Sequence, residues 1–230
     1  TDNRVEFSSK LGFILSAAGS AVGLGNIWKF PGKAYACGGG AFLIIYLIIV
    51  AAVGTSVMMA EFTIGRKTHR GSVGALRMLN EKFAWIGGLG VLTGFIIVCY
   101  YCQVGGWAMY YVAAYITDVQ AVWADPMAYF LNMLGANGLP IGAIVWGFIF
   151  MLLTAFIISH GTAGIEKMST ILMPILFVLL IGLMIRSCTL PGAGEGIAYM
   201  LHVDFSTING TAILTALGQA FFSLSLGMGV

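Results

Sequence analysis

Six stretches of this 230-residue chain contain no Asp, Glu, Lys or Arg: 11–28, 34–60, 83–117, 126–165, 168–185 and 205–230. Crossing a hydrocarbon core takes roughly 20 apolar residues of helix, range 17–25. All six runs are apolar and reach that length. Backbone groups in lipid find no water, so the spans are expected to be helical. The runs are continuous rather than alternating, which argues against a transmembrane barrel. Composition agrees: 59% of residues are hydrophobic and 9% are charged, against about 25% charged in ordinary soluble domains. So little charge cannot coat a soluble surface, which excludes a soluble enzyme and a disordered tail. A net charge of +2 offers no basic footprint for phosphate backbones, so no nucleic-acid partner is expected. The reading is an all-α, polytopic membrane protein whose solvent is the lipid bilayer.

The 126–165 run exceeds one span, and Asn132, Asn137, Gly138 and Pro140 break its first part. Five full spans are predicted near 11–36, 40–65, 85–117, 140–159 and 163–186, with an incomplete sixth over 211–230. Connections fall near 66–84 and 160–162 on one side, and near 118–139 and 187–210 on the other. Arg4, Lys10, Arg66, Lys67, Arg70, Arg77, Lys82 and Lys167 lie on the first side; Lys29, Lys33 and Arg186 lie on the second. The positive-inside rule then puts the N-terminus in the cytoplasm of a multi-pass cell-membrane protein. Trp107, Tyr110, Tyr111 and Tyr115 read as an aromatic belt at the outer end of the third span. Asn209-Gly210-Thr211 is a glycosylation sequon by pattern, set hard against the next span, and is read as chance. Four cysteines make no disulfide framework in a chain of this length. Cys99 and Cys102 form a C-x-x-C inside an apolar run, which reads as buried free thiols rather than a redox pair.

The polar interruptions carry the chemistry. The first span reads Gly19-Ser-Ala-Val-Gly-Leu-Gly-Asn-Ile-Trp-Lys-Phe-Pro31, with Gly19, Gly23 and Gly25 at mid-depth beside Ser20 and Asn26. Each glycine weakens a helix by about 1 kcal/mol relative to Ala. Gly19-x-x-x-Gly23 also fits close helix packing through small residues. A nucleotide loop fails, because no strand precedes Gly23-Leu-Gly25 and no third glycine follows. The last segment, Gly218 to Gly229, is again interrupted, at Gly227-Met-Gly229, with Ser223 and Ser225 nearby. Paired broken spans in matching places point to a transporter's midplane site, where unwound carbonyls coordinate a cation and a half-helix N-terminus meets an anionic group. Glu61 ends a long charge-free run; it is either a partner for unwound backbone or ion route, or an interfacial carboxylate near Arg66. Gly164 and Pro174 sit in the fifth span, where Pro174 removes one backbone bond. A kink there, or a helix that unwinds during transport, are the two readings.

In order along the chain, these motifs resemble the neurotransmitter:sodium symporter family, in its bacterial amino-acid branch. The residues that carry the resemblance are Gly19 to Pro31, Gly38-Gly-Gly-Ala-Phe42, Glu61-Phe-Thr-Ile-Gly-Arg66, Tyr100-Tyr101, Gly164-x9-Pro174 and Gly218 to Gly229. The resemblance implies a leucine-transporter-like fold. Residues 1–186 would form the first five-helix repeat, 187–210 an external loop, and 211–230 the first half of span 6, with spans 1 and 6 broken. The family has about twelve spans in two inverted repeats, so the resemblance implies an N-terminal fragment of a longer protein. It implies a first sodium near Ala21, Asn26 and Ser223, completed by the substrate carboxylate. A second sodium would use carbonyls of Gly19 and Val22 with groups in an eighth span. Tyr101 would hold the substrate carboxylate with amides near Leu24 and Gly25. Phe222 would cap the pocket, Ser20 and Ala21 would border it, and Ile97, Ser225 and Met228 would line the side-chain subsite. Glu61 would tie down unwound backbone. Arg4 would serve the inner gate and Lys29 the outer one, Gln219 would be a gating or structural position, and Gly164 and Pro174 would serve the unwinding of span 5.

Monoamine members of that family carry Asp at the position of Gly23; glycine leaves room for an amino acid's own carboxylate. The resemblance therefore implies symport of a neutral α-amino acid, hydrophobic or aromatic given Ile97, Met228 and Phe222. Sodium ions are the coupling ions and no other cofactor is implied. Tyr46 and Gln219 match two positions near the chloride site, whose remainder lies in later spans, so chloride is left open, as is a homodimer. Departures are Lys29 for the outer-gate arginine, which loses the bidentate fork, Ser20 where one branch has Asn, and Phe7 for the inner-gate tryptophan, which weakens a cation–π contact with Arg4. The competing reading is a half-length membrane subunit that binds a partner chain without transporting. A membrane enzyme is disfavoured: there is no nucleophile–base pair, and His69, His160 and His202 are scattered near loops.

Overall fold

The computed structural model describes residues 9–136 and 138–228. Arg4, Phe7, Asn137, Gly229 and Val230 lie outside the described residues. Among those described the chain is helical throughout, without a strand. Four helices are long and apolar enough to cross a membrane: Gly40–Thr68, Glu81–Thr117, Ile141–Ser159 and Gly161–Cys188. A fifth candidate is the pair Lys10–Ala21 and Gly25–Ala36, bent by 45° at the break between them. These are spans 2, 3, 4, 5 and 1. A further helix, Gly210–Ser223, opens span 6. Among the described residues the chain is all-α, with apolar helices of which the first is broken.

The predicted limits shift by a few residues, and the connections carry structure of their own. The connection near 66–84 holds a helix at Ser72–Leu79. That at 118–139 holds Val119–Ala124 and Pro126–Met133, capped by Asp118 and Asp125. The one at 187–210 holds Ala193–Leu201. Span 5 follows span 4 with only His160 between them, because Gly161 takes φ +63 at the corner. Span 2 contains a π-helical turn at Val50–Gly54. Asn209 caps span 6, its Oδ1 accepting from Ala212 N at 2.8 Å, which is the ordinary work of an N-cap asparagine.

The chain divides into two compact units, 92–165 and, among the described residues, 9–91 with 166–228. In the first unit spans 3 and 4 meet through glycine: a Cβ on Gly106 would lie 2.4 Å from Gly147 N. Small residues let two backbones approach in this way. Trp107, Tyr110 and Tyr111 pack against Phe130, Tyr129 and Trp146, with centroids 5.5–6.2 Å apart, so the predicted aromatic belt is in large part an internal cluster. In the second unit Phe42 and Ala216 are fully buried in a core with Ala34 and Ala212, flanked by Phe30 and Tyr46. This core joins the second half of span 1, the start of span 2 and span 6. Gly40 sits against chain: a Cβ there would meet Met200 O at 2.5 Å.

Two expectations need correction. Cys99 is exposed and Cys102 half-buried, both as free thiols. Gly19-x-x-x-Gly23 is not one packing stripe: a Cβ on Gly19 would lie 3.2 Å from Met173 Sδ in span 5, whereas Gly23 lies in the non-helical break. Span 5 runs as one helix through Pro174, although proline removes the bond to the carbonyl four residues back.

Candidate functional site

The break in span 1 has a defined start and restart. Val22 ends the first half with ψ 71, its N–H donating to Ala18 O at 2.8 Å. The chain re-enters helix when the N–H groups of Asn26 and Ile27 donate to Gly23 O at 3.0 and 3.3 Å. A helix that ends here leaves its last carbonyls, those of Gly19 to Val22, without intrahelical donors. The first turn after the break is π-helical, Gly25–Lys29; such turns recur at functional sites. A Cβ on Gly25 would fall 2.3 Å from Phe222 Cε1, so the Phe222 ring as it stands uses the space that glycine leaves.

Asn26 bridges the break and reaches span 6. Its Nδ2 donates to Ala21 O. Its Oδ1 accepts from Ser223 Oγ at 2.7 Å and from Gln219 Nε2 at 2.8 Å. Gln219 Nε2 also lies 3.3 Å from Ser223 Oγ, one turn on along the same helix face. Gln219 and Ser223 are 2% and 5% exposed. A carbonyl, a side-chain amide oxygen and a hydroxyl from two different spans thus lie in one network. All are neutral, hard oxygen donors, the type that suits a hard cation.

Span 6 leaves its helix after Ser223. Ser225 takes φ 54 and Gly227 φ 78. The serine occupies the left-handed region at a conformational cost that ordinary residues avoid. Its Oγ lies 3.2 Å from Ser20 Oγ, a second polar contact between the two broken segments. The Gly227 N–H donates to Glu61 Oε1 at 2.7 Å. A Cβ on Gly90 would lie 2.7 Å from Gly227 O, so glycine in span 3 admits the turn. Glu61, Arg70, Ser72, Gly87 and Gly227 help line a cavity of about 290 Å³.

The other expected site residues fall as follows. Gly19, Val22 and Leu24 are half-buried around the break. Lys29 is exposed, its Nζ 5.4 Å from the centre of the Trp28 ring. Met228 is half-buried just past the turn. Ile97 and Tyr101 are half-buried on span 3 within the 92–165 unit. Gly164 faces the Ile157 carbonyl, which a Cβ would approach to 2.4 Å. Arg4 lies outside the described residues.

The profile of the sodium:neurotransmitter symporter family matches residues 4–132 and 126–230, nearly the whole sequence. This chain belongs to that family. An uncharacterised sodium-dependent transporter of Methanocaldococcus jannaschii is 40% identical over 99% of the chain and 48% of its own length. A second, of Bacillus subtilis, is 37% identical over 98% of the chain and 51% of its own length. A sodium- and chloride-dependent taurine transporter of Bos taurus is 30% identical over 98% and 43%. Among solved structures, MhsT in complex with L-phenylalanine superposes with a TM-score of 0.87 at 42% identity, covering 98% of this chain and 52% of that one. The chain spans about half the length of the curated relatives it matches. It is a multi-pass membrane chain of a family of sodium-dependent transporters.

Two residues of this chain carry contacts that the sequence does not mark. Glu166 is 7% exposed at the start of span 5. Its Oε1 accepts from Ser9 N at 3.1 Å and Ser9 Oγ at 3.0 Å, where span 1 begins. A Cβ on Gly12 would overlap the Glu166 carboxylate. The rule applied to Glu61, that a carboxylate within an apolar run needs protein or water around it, would have found Glu166. The second is Lys33, counted as a loop charge, whose Nζ donates to Gln219 Oε1 at 3.0 Å.

Proposed function

We propose that the protein containing this chain couples sodium entry to the uptake of a neutral, hydrophobic or aromatic amino acid by alternating access. The observation that carries the reading is the Asn26 side chain, which gathers Ala21 O, Ser223 Oγ and its own Oδ1 at the junction of two broken helices. Sodium is cargo here. Ala21, Asn26 and Ser223 would contribute oxygens to one ion, and the free carbonyls of Gly19 and Val22 to another. Ser20, Leu24, Gly25, Phe222, Ser225 and Met228 would surround the substrate. Glu61 would hold the turn of span 6 through Gly227 N. Tyr101 and Ile97 enter from the family resemblance, as carboxylate holder and side-chain wall. Residues 1–186 are read as the first inverted repeat, with the N-terminus in the cytoplasm.

The substrate class draws support from Gly23, which brings no carboxylate of its own, and from the apolar Phe222 and Met228. The phenylalanine bound to MhsT, 42% identical to this chain, points the same way. The membrane potential and an inward sodium gradient both favour uptake of net positive charge.

The test is uptake into proteoliposomes by the full-length native protein, with a panel of radiolabelled amino acids under an inward sodium gradient. Concentrative uptake of phenylalanine or leucine that stops when choline replaces sodium is expected. Uptake indifferent to that exchange would overturn the coupling. Preference for taurine or a charged amino acid would overturn the substrate class.

A further inference from the structure

We propose that Lys33 is a positioning residue for sodium, because it determines which end of the Gln219 amide faces Asn26. This rests on the sodium reading of the Ala21–Asn26–Ser223 cluster and adds a residue that the reading does not contain. Gln219 lies between two groups of the outer half of span 1. Lys33 Nζ is 3.0 Å from its Oε1, and Asn26 Oδ1 is 2.8 Å from its Nε2. An ammonium donates and cannot accept. Lys33 therefore requires the amide oxygen, and the NH₂ group must point the other way. There it donates to Asn26 Oδ1 and reaches Ser223 Oγ. With Oδ1 receiving donors from Gln219 and Ser223, the Asn26 NH₂ is directed at Ala21 O, and the bridge over the break closes. One cation thus orients two amides in series and aims the Asn26 oxygen at the cluster.

Without that cation only Asn26 biases the Gln219 amide, and the Oε1 that Lys33 held has lost its donor. Turned end for end, it would set Oε1 against Asn26 Oδ1, two acceptors face to face. Ser223 would then donate to Gln219 instead, and the Asn26 oxygen would lose its fixed direction. Gln219 is 2% exposed, so water does not reach it freely to smooth the difference, and an unmade bond at such a depth carries its full desolvation cost. Lys29 does not serve this purpose, since its ammonium lies by the Trp28 ring.

The experiment is a sodium titration of the full-length native protein in detergent, with choline holding ionic strength constant. Two readouts are taken: the sodium-dependent rise in melting temperature without substrate, and the sodium concentration for half-maximal L-phenylalanine binding. Wild type, Lys33→Met, Lys33→Arg, Gln219→Met and the Lys33→Met/Gln219→Met pair are compared. Met keeps the length and packing of the lysine stem; Arg keeps a cationic donor. Lys33→Met should raise half-saturating sodium about tenfold, the worth of roughly one oriented hydrogen bond. The melting temperature in choline and phenylalanine affinity at saturating sodium should stay within twofold or a few degrees of wild type. Lys33→Arg should return to within about twofold, and Lys33→Met should add nothing once Gln219 is Met. Unchanged or tighter sodium binding in Lys33→Met, failure of Arg to rescue, or simple additivity in the pair would each overturn the inference. If wild type itself shows no sodium dependence, the sodium reading falls and this inference with it. If wild type responds and Lys33→Met does not differ, only this inference falls.

Discussion

Glycine does opposite work at two helix crossings of this chain. Where spans 3 and 4 meet, Gly106 and Gly147 bring two backbones close, and both helices continue unbroken. Around Gly23, Gly25 and Gly227 the helices open instead. The difference lies in what stands beside the glycine. At the crossing of spans 3 and 4 the Gln103 side chain lies against Gly147, yet both helices keep their own backbone bonds. At the breaks, Asn26 supplies a donor to Ala21 O, Glu61 an acceptor for Gly227 N, and Ser20 and Ser225 join across the gap. A span can lose backbone hydrogen bonds in lipid only where other groups satisfy what is freed. Glycine permits the opening, and its polar neighbours make it stable.

Substitutions can break this contrast. The largest effect is expected from Gly106→Val. Its side chain would run into the Gly147 backbone, which cannot swing aside. Overpacking of this kind costs about 1–3 kcal/mol or more. Much less monodisperse protein should elute on size exclusion, and sodium should not restore it. Asn26→Ala should act the other way, lowering folded yield less than Gly106→Val and sodium affinity more. It removes the partner of Ala21 O, Gln219 and Ser223, and half-saturating sodium should rise at least tenfold in a binding assay. Gly25→Ala is milder. The added methyl meets the Phe222 ring edge, and a ring can rotate away, so phenylalanine affinity should drop by about tenfold or less. Sodium-only stabilisation should remain. Glu61→Gln still offers an oxygen to Gly227 N but loses charge assistance, about 1 kcal/mol; transport should slow a few-fold.

The smallest effect belongs to a control remote from either crossing. Hydrogen bonds from the Ser206 side chain and backbone hold the Asp204 carboxyl below its ordinary value. A lowered folded-state pKa adds stability above the unfolded value, and that stability is lost as pH falls through the folded one. Asp204 is half-buried at the surface and its partner is the neighbouring Ser206, so Asp204→Asn should alter only slightly the acid flank of the melting curve and leave sodium dependence untouched.

The spans themselves were legible because lipid demands long apolar helices, and charge-free runs mark them directly. The break in span 1 was legible for the same reason as its chemistry, since three glycines beside Ser20 and Asn26 are out of place in a packed apolar helix. The π-helical turn at Val50–Gly54 was not, for VAAVG reads as any other buried helix. Glu166 was overlooked because it sits next to Lys167 at a predicted span start, where charge is unremarkable; only tertiary packing against Ser9 and Gly12 buries it. Lys33 was counted for topology, and nothing local says that it turns inward, because its partner Gln219 is 186 residues away. Hydropathy locates spans, but long-range polar partners come from packing.

The central claim is that the oxygens gathered by Asn26 hold sodium and that sodium is needed for substrate to bind. Equilibrium binding of labelled L-phenylalanine to the full-length native protein, in sodium and in choline at equal ionic strength, tests it most directly. Saturable binding in sodium and none above background in choline is the predicted result. Equal binding in the two salts would contradict the account.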